Sequence, residues 1–314
     1  MLEKTDKIVL AGAAGLVGQN LALLLREQGY ANVVAIDKHP HNTQVLRELN
    51  PGMSVIEADL SRPGDWEDAL QGARAVVMLQ AQIGGEVYGD FVGNNVTSTE
   101  RVLAACRAHG VGYIVHISSS VVNSRARDFY TETKRAQERL VLESGIPVVV
   151  LRPTLMFGWF DRKHLGWLSR FMERSPVFPI PGSGRYARQP LYIRDFCRVI
   201  VACLQRRPVG EVHDISGPEI IDYVDIVRAI KDATGSRTVF LHIPYRLFWW
   251  LLRIYALVDR DPPFTTRQLE ALVIPETFPL TPWGETFGIR PTPFTEAVAE
   301  TFTDPRHSGV VLKF

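Results

Sequence analysis

A strand that runs into three regularly spaced glycines, and from them into an apolar helix, constrains this chain more than any other feature. Lys7–Gly18 reads KIVLAGAAGLVG: Ile8-Val9-Leu10 is strand-like, Gly12-x-x-Gly15-x-x-Gly18 follows, and the Ala/Leu-rich segment Leu16–Leu25 continues as a helix. Gly12 permits a tight turn, Gly15 lets backbone approach a diphosphate, and Gly18 lets the helix press on the sheet. Free N–H groups and the dipole at such a helix start favour a bound anion. A second apolar run, Val33-Val34-Ala35-Ile36, ends at Asp37, nineteen residues past Gly18. An acid in that place accepts from a ribose 2′-hydroxyl and repels a 2′-phosphate. The pattern implies a nicotinamide dinucleotide held by Gly12, Gly15, Leu16, Val17, Gly18 and Asp37. NAD is the preferred form, and Lys38, which could reach a 2′-phosphate, leaves NADP open.

At 314 residues the chain exceeds a typical single domain, and with 46% hydrophobic residues it can bury a large core. A net charge of +1 with no basic block argues against nucleic acid as a partner. Cys106, Cys197 and Cys203 form no C-x-x-C pair and read as reduced, buried thiols of a cytosolic protein. No leader segment is expected from the charged N-terminus, and no apolar run is long enough to span a membrane.

Apolar runs at Ser54–Ile56, Ala75–Leu79, Tyr113–Ile117 and Pro147–Leu151 alternate with helical patterns around Trp66–Leu70, Phe91–His109 and Tyr130–Ser144. Continuous Val/Ile/Leu strands separated by helices predict a parallel sheet covered on both faces. Past Phe157 prolines and aromatics become frequent, and helical patterns recur at Asp195–Gln205, Asp222–Thr234 and Pro244–Val258. The predicted architecture is α/β: a Rossmann doubly wound parallel sheet over residues 1–155 and a smaller C-terminal α/β substrate lobe over 156–314.

Tyr130-Thr131-Glu132-Thr133-Lys134 sets a phenol and an ammonium four residues apart on one helix face, where the cation favours the phenolate. The helix follows a strand that ends in Ser118-Ser119-Ser120, so a serine hydroxyl can reach the same substrate oxygen. Ser, Tyr and Lys beside a nicotinamide make a hydride-transfer group. Tyr exchanges the alcohol proton, Ser orients the oxygen, and Lys holds the cofactor ribose while lowering the Tyr pKa.

With these pieces in place the sequence resembles the extended branch of the short-chain dehydrogenase/reductase family, which holds the nucleotide-sugar epimerases and dehydratases. The likeness rests on GAAGLVG, Asp37, Ala58-Asp59-Leu60, Asn95-Val96-Thr97-Ser98-Thr99, VGYIVHISSS, YTETK and Leu151-Arg152-Pro153. It implies that Asp59 and Leu60 flank adenine, Ala81 lines the cofactor, Asn95 supports the site and Pro153 lies near the nicotinamide. It puts the catalytic hydroxyl at Ser119, with Ser120 as the fallback, beside Tyr130 and Lys134. Gly182-x-Gly184-x-x-x-Arg188 resembles the family segment whose arginine grips a sugar nucleotide's diphosphate, which makes Arg188 the substrate contact alongside Ser119. Arg188–Tyr192 and Pro262–Gln268 look more like the atypical sub-branch named for the NADH:ubiquinone oxidoreductase accessory subunit, some of whose members bind dinucleotide without turning anything over. Homodimers through the Phe91–His109 and Tyr130–Ser144 helices are common in the family.

The chain departs from that pattern in one respect. Only ten residues separate Ser119 from Tyr130, and Asn123-Ser124 stands where a Tyr-Gly is usual. A shortened loop leaves the substrate pocket more open, or filled from the C-terminal lobe. The Thr-Asp/Glu pair of the dehydratases is absent, which sets epimerase and dehydrogenase or reductase ahead of dehydratase. The expected reaction is NAD(P)-dependent hydride transfer at a secondary alcohol or ketone carbon, with a nucleotide sugar as leading substrate. A hydroxysteroid- or lipid-type dehydrogenase and a non-catalytic dinucleotide-binding scaffold are the rivals. Ile243–Val258, IPYRLFWWLLRIYALV, is apolar almost all round and reads either as a core or interface helix or as one touching a membrane through Trp249 and Trp250. His116 is expected to be a satisfied core histidine, His39 and His41 show no metal-ligand spacing, and Trp159, Phe160 and Trp167 either stack on a ligand or pack the lobe. No metal site is predicted.

Overall fold

The computed structural model describes residues 2–258 and 264–313. Strands β1 (Lys7–Ala11), β2 (Val33–Asp37), β3 (Ser54–Glu57), β4 (Ala73–Met78), β5 (Ile114–Ile117) and β6 (Val148–Pro153) form the predicted parallel sheet. A seventh strand, Val212–Ile215, pairs with β6, so the order is Val212–Ile215, β6, β5, β4, β1, β2, β3. That last strand comes from beyond residue 155. The sheet therefore draws on both sides of the domain boundary expected from the sequence.

Helices α1 (Leu16–Glu27) and α2 (Pro40–Leu49) follow the first two strands. A short α3 (Tyr88–Phe91), a π-helical turn at Val92–Thr97 and α4 (Ser98–Ala108) make the crossover to β5, and α5 (Phe129–Leu142) makes the crossover to β6. The helical pattern at Trp66–Leu70 is realised as a 3-10 helix, Asp65–Leu70. Beyond β6 come α6 (Leu165–Arg174), α7 (Ile193–Arg206), α8 (Tyr223–Thr234), α9 (Tyr245–Val258), α10 (Thr266–Val273), α11 (Trp283–Phe287) and α12 (Phe294–Thr303).

Strand alternation sends Ile8 and Leu10 to one face of the sheet and Val9 and Ala11 to the other. The first face packs on Leu21, Leu24 and Leu25 of α1 and on Phe196, Val199 and Ile200 of α7. The second packs on Val102 and Leu103 of α4 and Val141 of α5. Both faces are dry, which is why the strands can be uniformly apolar. β1 lies between β2 and β4, so the connections leave in opposite directions there. This is the topological switch point where doubly wound sheets take their ligands. The lobe adds small two-stranded sheets, among them Val177–Pro181 beside Val239–Ile243.

Candidate active site

The glycine turn has the stereochemistry its spacing predicts. Gly12 has φ +83°, and a Cβ there would lie 2.5 Å from the Gln80 nitrogen. A Cβ on Gly18 would lie 2.2 Å from the Ala13 carbonyl oxygen, so this glycine is fixed by the close approach of helix and turn. Gly15 is different: a Cβ there would meet nothing within 4 Å. The space in front of it is a cradle at the start of α1, open where a diphosphate would sit and lined by backbone N–H. Leu16 and Val17, half-buried, lean on the core behind it.

Asp37 ends β2 and is buried, its carboxylate accepting from Ala14 N at 2.9 Å and His39 N at 3.0 Å. Those bonds aim it back at the glycine turn, and a carboxylate has lone pairs to spare for ribose hydroxyls. Lys38 is already engaged: Nζ donates to Asn94 Oδ1 at 2.5 Å and lies 3.9 Å from Asp59 Oδ2. Burial disfavours the charge of Asp59, but bonds from Ser61 and the nearby Lys38 and Arg62 outweigh it and hold the carboxyl below its ordinary value. A lysine so neutralised does not offer a free charge to a 2′-phosphate. The dinucleotide site thus fits NAD. Leu60 turns into the core of the α4/α5 face rather than outward, whereas Ala81 is exposed at the end of β4.

Ser118, Ser119 and Ser120 have separate fates at the end of β5. Ser118 Oγ donates to buried Glu138 Oε2 at 2.5 Å and is spent. Ser120 starts a 3-10 turn. Ser119 Oγ accepts from Val121 N at 3.4 Å, and of the three serines it is the one whose hydroxyl acts on the Tyr130 phenol, opposing the rise that burial imposes. Tyr130 opens α5, which is capped by Asp128 accepting from Thr131 N at 2.9 Å. An aspartate three residues before Thr131 is a sequence-readable N-cap.

Lys134 is four residues on, with the ammonium wholly buried, donating to Ile117 O at 2.9 Å and Gln137 Oε1 at 2.5 Å. Burial, only partly offset by the charge of Glu138, brings its pKa down to about 7. The sequence assigns Lys134 a second task, lowering the Tyr130 pKa. Burial raises the phenol, the Ser119 bond opposes that, and Asp128 adds to it, while the ammonium is turned beneath the helix toward its own partners. As an ammonium, Lys134 keeps a third N–H beyond these two bonds.

Behind these residues lies a polar layer that sequence reasoning largely missed. Asn95, fully buried in the π-helical turn, accepts from Gln82 N at 2.6 Å and donates to Thr133 Oγ1 at 2.9 Å. It is therefore a positioning residue that locks the loop after β4 to α5, and not a direct cofactor contact. A π-bulge at a site is a usual device for aiming such a side chain. Gln137 donates to Gln80 O and Thr99 Oγ1. Arg152, on β6 just before buried Pro153, forks onto Glu138 and also reaches Asn123 Oδ1 at 3.2 Å. Asn123 in turn donates to Asp214 Oδ1 at 3.0 Å. The shortened Ser119–Tyr130 connection is thus clamped to the sheet's edge. Arg135 holds its carbonyls at Val122, Ser124 and Ala126.

The surface next to Tyr130 is mixed: the exposed Arg125, Arg127 and Asp128 precede it in the chain, and an apolar cluster stands at Phe129. Phe129 stands 5.1 Å from Tyr88 and 5.9 Å from Phe91, ring to ring, and Ile83, Val87, Tyr88 and Phe129 are all exposed.

Arg188 corrects the sequence expectation. Its guanidinium donates to the carbonyls of Ala187, Ile274, Ala271 and Leu272. It caps the C-terminal end of α10, where carbonyls lack helical partners, and is not presented to a diphosphate. His116 is in the core but unsatisfied: neither ring nitrogen has a hydrogen-bond partner among the described residues. Burial and the Lys134 charge hold its pKa well below the ordinary value, so it stays neutral. Trp159 donates to Glu300 O at 3.0 Å and stacks on His307, Phe160 packs edge-on to the same ring, and Trp167 stacks on Phe171 and Phe264. All three aromatics pack the lobe. Pro262 and Pro263 lie outside the described residues. Among the described residues no group of His, Cys, Asp and Glu could hold a metal ion, and no helix is long and apolar enough to cross a membrane.

A doubly wound sheet with this glycine turn at its switch point, and Ser, Tyr and Lys gathered beside it, defines an extended short-chain dehydrogenase/reductase. The chain belongs to the NAD dependent epimerase/dehydratase family, whose model matches residues 8–216. It is 27% identical to the 2-alkyl-3-oxoalkanoate reductase of Stenotrophomonas maltophilia, over 91% of this chain and 94% of that protein. It is 24% identical to subunit 9 of the NADH dehydrogenase [ubiquinone] 1 alpha subcomplex of Arabidopsis thaliana, over 74% of this chain and 59% of the other. Its fold matches that of the UDP-glucuronic acid 4-epimerase of Bacillus cereus, solved with NAD, at a TM-score of 0.70 and 24% identity over 94% of each chain.

Proposed function

We propose that the chain is an NAD-dependent oxidoreductase that moves a hydride to or from the secondary alcohol or ketone carbon of a bulky substrate. The observation that carries this is that the end of β5 and the start of α5 bring Ser119 beside Tyr130, with Lys134 bonded to the last residue of β5. The Gly12–Gly18 turn and Asp37 would hold the dinucleotide, which when bound supplies or accepts the hydride. Tyr130 gives its proton to the carbonyl oxygen in reduction and takes it back in oxidation. Ser119 donates a hydrogen bond to the same oxygen. Lys134, in its ammonium form, has a third N–H for a cofactor hydroxyl beyond the two held by Ile117 O and Gln137 Oε1. If the keto intermediate turns over before the return step, the net result is epimerisation.

A nucleotide sugar is the first substrate class to test, because the Bacillus cereus neighbour is an epimerase of UDP-glucuronic acid. The second reading is an apolar ketone, as in the oxoalkanoate reductase. Two features favour it: the exposed apolar cluster at Phe129 and Tyr88, and Arg188 committed to α10. The experiment is a thermal-shift panel on the NAD-loaded protein, followed on hits by NAD reduction and epimer formation for the sugars and by NADH oxidation for the oxo acids. UDP- and dTDP-sugars form one arm and medium-chain 3-oxo acids the other. A shift confined to one arm selects the substrate class. Tyr130→Phe should abolish turnover and leave the NAD-induced shift intact, whereas unchanged turnover in that variant would sink the mechanism.

A further inference from the structure

Helix α9 presents to solvent what a helix in a folded core would hide. Phe248 is buried, stacked on Phe264, which in turn stacks on Trp167 of α6. On the other side Leu247 is 52%, Trp250 61%, Leu251 45%, Ile254 58% and Leu257 86% exposed. At about 100° per residue these five span one contiguous face centred near Ile254. Arg246 and Arg253, seven apart, stand together on its flank, with Arg253 5.5 Å over the Trp249 ring. The helix carries no acidic residue. Glu270 of α10 accepts from Trp249 Nε1 at 3.1 Å.

We infer that α9 docks on the surface of an anionic lipid bilayer, lying in the headgroup plane. The helix has 14 residues and is about 21 Å long at about 1.5 Å per residue, short of the roughly 30 Å hydrocarbon thickness. It lies on the membrane and does not span it. Its apolar face enters the boundary of headgroup and acyl chain, Trp250 sits at the interface, and the two arginines meet lipid phosphates. The paired arginines on the flank of an otherwise apolar face select lipid phosphates as the occupant. The docked face also leads back to the site: from Phe248 through Phe264 and Trp167 to α6, and from the preceding Lys163 to Gly84 in the loop after β4. This inference stands apart from the choice of substrate.

The test is co-sedimentation of the full chain with phosphatidylcholine vesicles, with and without phosphatidylglycerol, at low and high salt. Binding to the anionic vesicles, weakened by salt, is expected. Arg246→Gln with Arg253→Gln should weaken it roughly thirtyfold, from the pull of an anionic surface on two arginines. Trp250→Glu with Ile254→Glu should abolish it, with the melting temperature unchanged because both side chains are exposed. No binding to anionic vesicles at low salt would overturn the proposal, as would binding that neither pair of substitutions alters. Self-association lost in the Trp250→Glu/Ile254→Glu variant, without vesicle binding, would overturn it in favour of a second copy. Should the glutamate variant fail to fold, the lipid-charge and salt dependence of the unaltered protein decides.

Discussion

Replacing Lys134 by methionine should reverse its effect on stability as the pH rises. The ammonium is wholly buried and its pKa lies at about 7, against 10.5 in the unfolded chain. Between those values the unfolded state binds the proton and the folded state does not, so the native protein gains stability as pH rises through that window. The penalty is about 4 kcal/mol near pH 7 and falls to about 1.4 kcal/mol near pH 9.5, at about 1.4 kcal/mol per unit. Methionine removes the penalty but orphans Ile117 O and Gln137 Oε1, which costs about 1–3 kcal/mol each. The two effects roughly cancel near neutrality. At the alkaline end only the loss remains. Urea unfolding of the cofactor-free proteins, followed by circular dichroism at stepped pH, gives the difference directly. The stability of Lys134→Met relative to the parent should fall by about 3 kcal/mol from pH 7 to pH 9.5. A difference that stays flat over that range would mean the lysine keeps an ordinary pKa, and the account of its burial would be wrong.

Three further outcomes follow from named contacts. Gly15→Ala should fold as the parent does, since its Cβ meets nothing, yet bind NAD at least about tenfold more weakly because the cradle is filled. Gly18→Ala should instead destabilise the fold by about 1–3 kcal/mol, read as a lowered urea midpoint, since its Cβ collides with the Ala13 carbonyl. Glu138→Ala leaves Arg152 without its forked partner and Ser118 without its acceptor, and should cost about 3–5 kcal/mol by denaturant unfolding, with Glu138→Gln milder.

What the sequence by itself determined is what depends on neighbours in the chain. The glycine turn, the acid closing β2, the uniformly apolar strands and the Tyr130–Lys134 spacing are short-range patterns. Local geometry forces each into one shape, so sheet class and cofactor class were legible. The tertiary structure decided whatever rests on a partner far along the chain. Ser119 is singled out because Glu138, twenty residues from Ser118, claims that hydroxyl. Lys38 is neutralised by Asp59, Asn95 is turned inward by Gln82 and Thr133, and Arg188 is drawn to carbonyls some 80 residues away. The seventh strand arrives from beyond the expected boundary because β6 still had an open edge for Val212–Ile215 to pair. A lone arginine or histidine in a sequence shows its chemistry but not its company. Only the folded chain fixes which groups are buried together, and burial decides whether a charge serves a ligand or the scaffold.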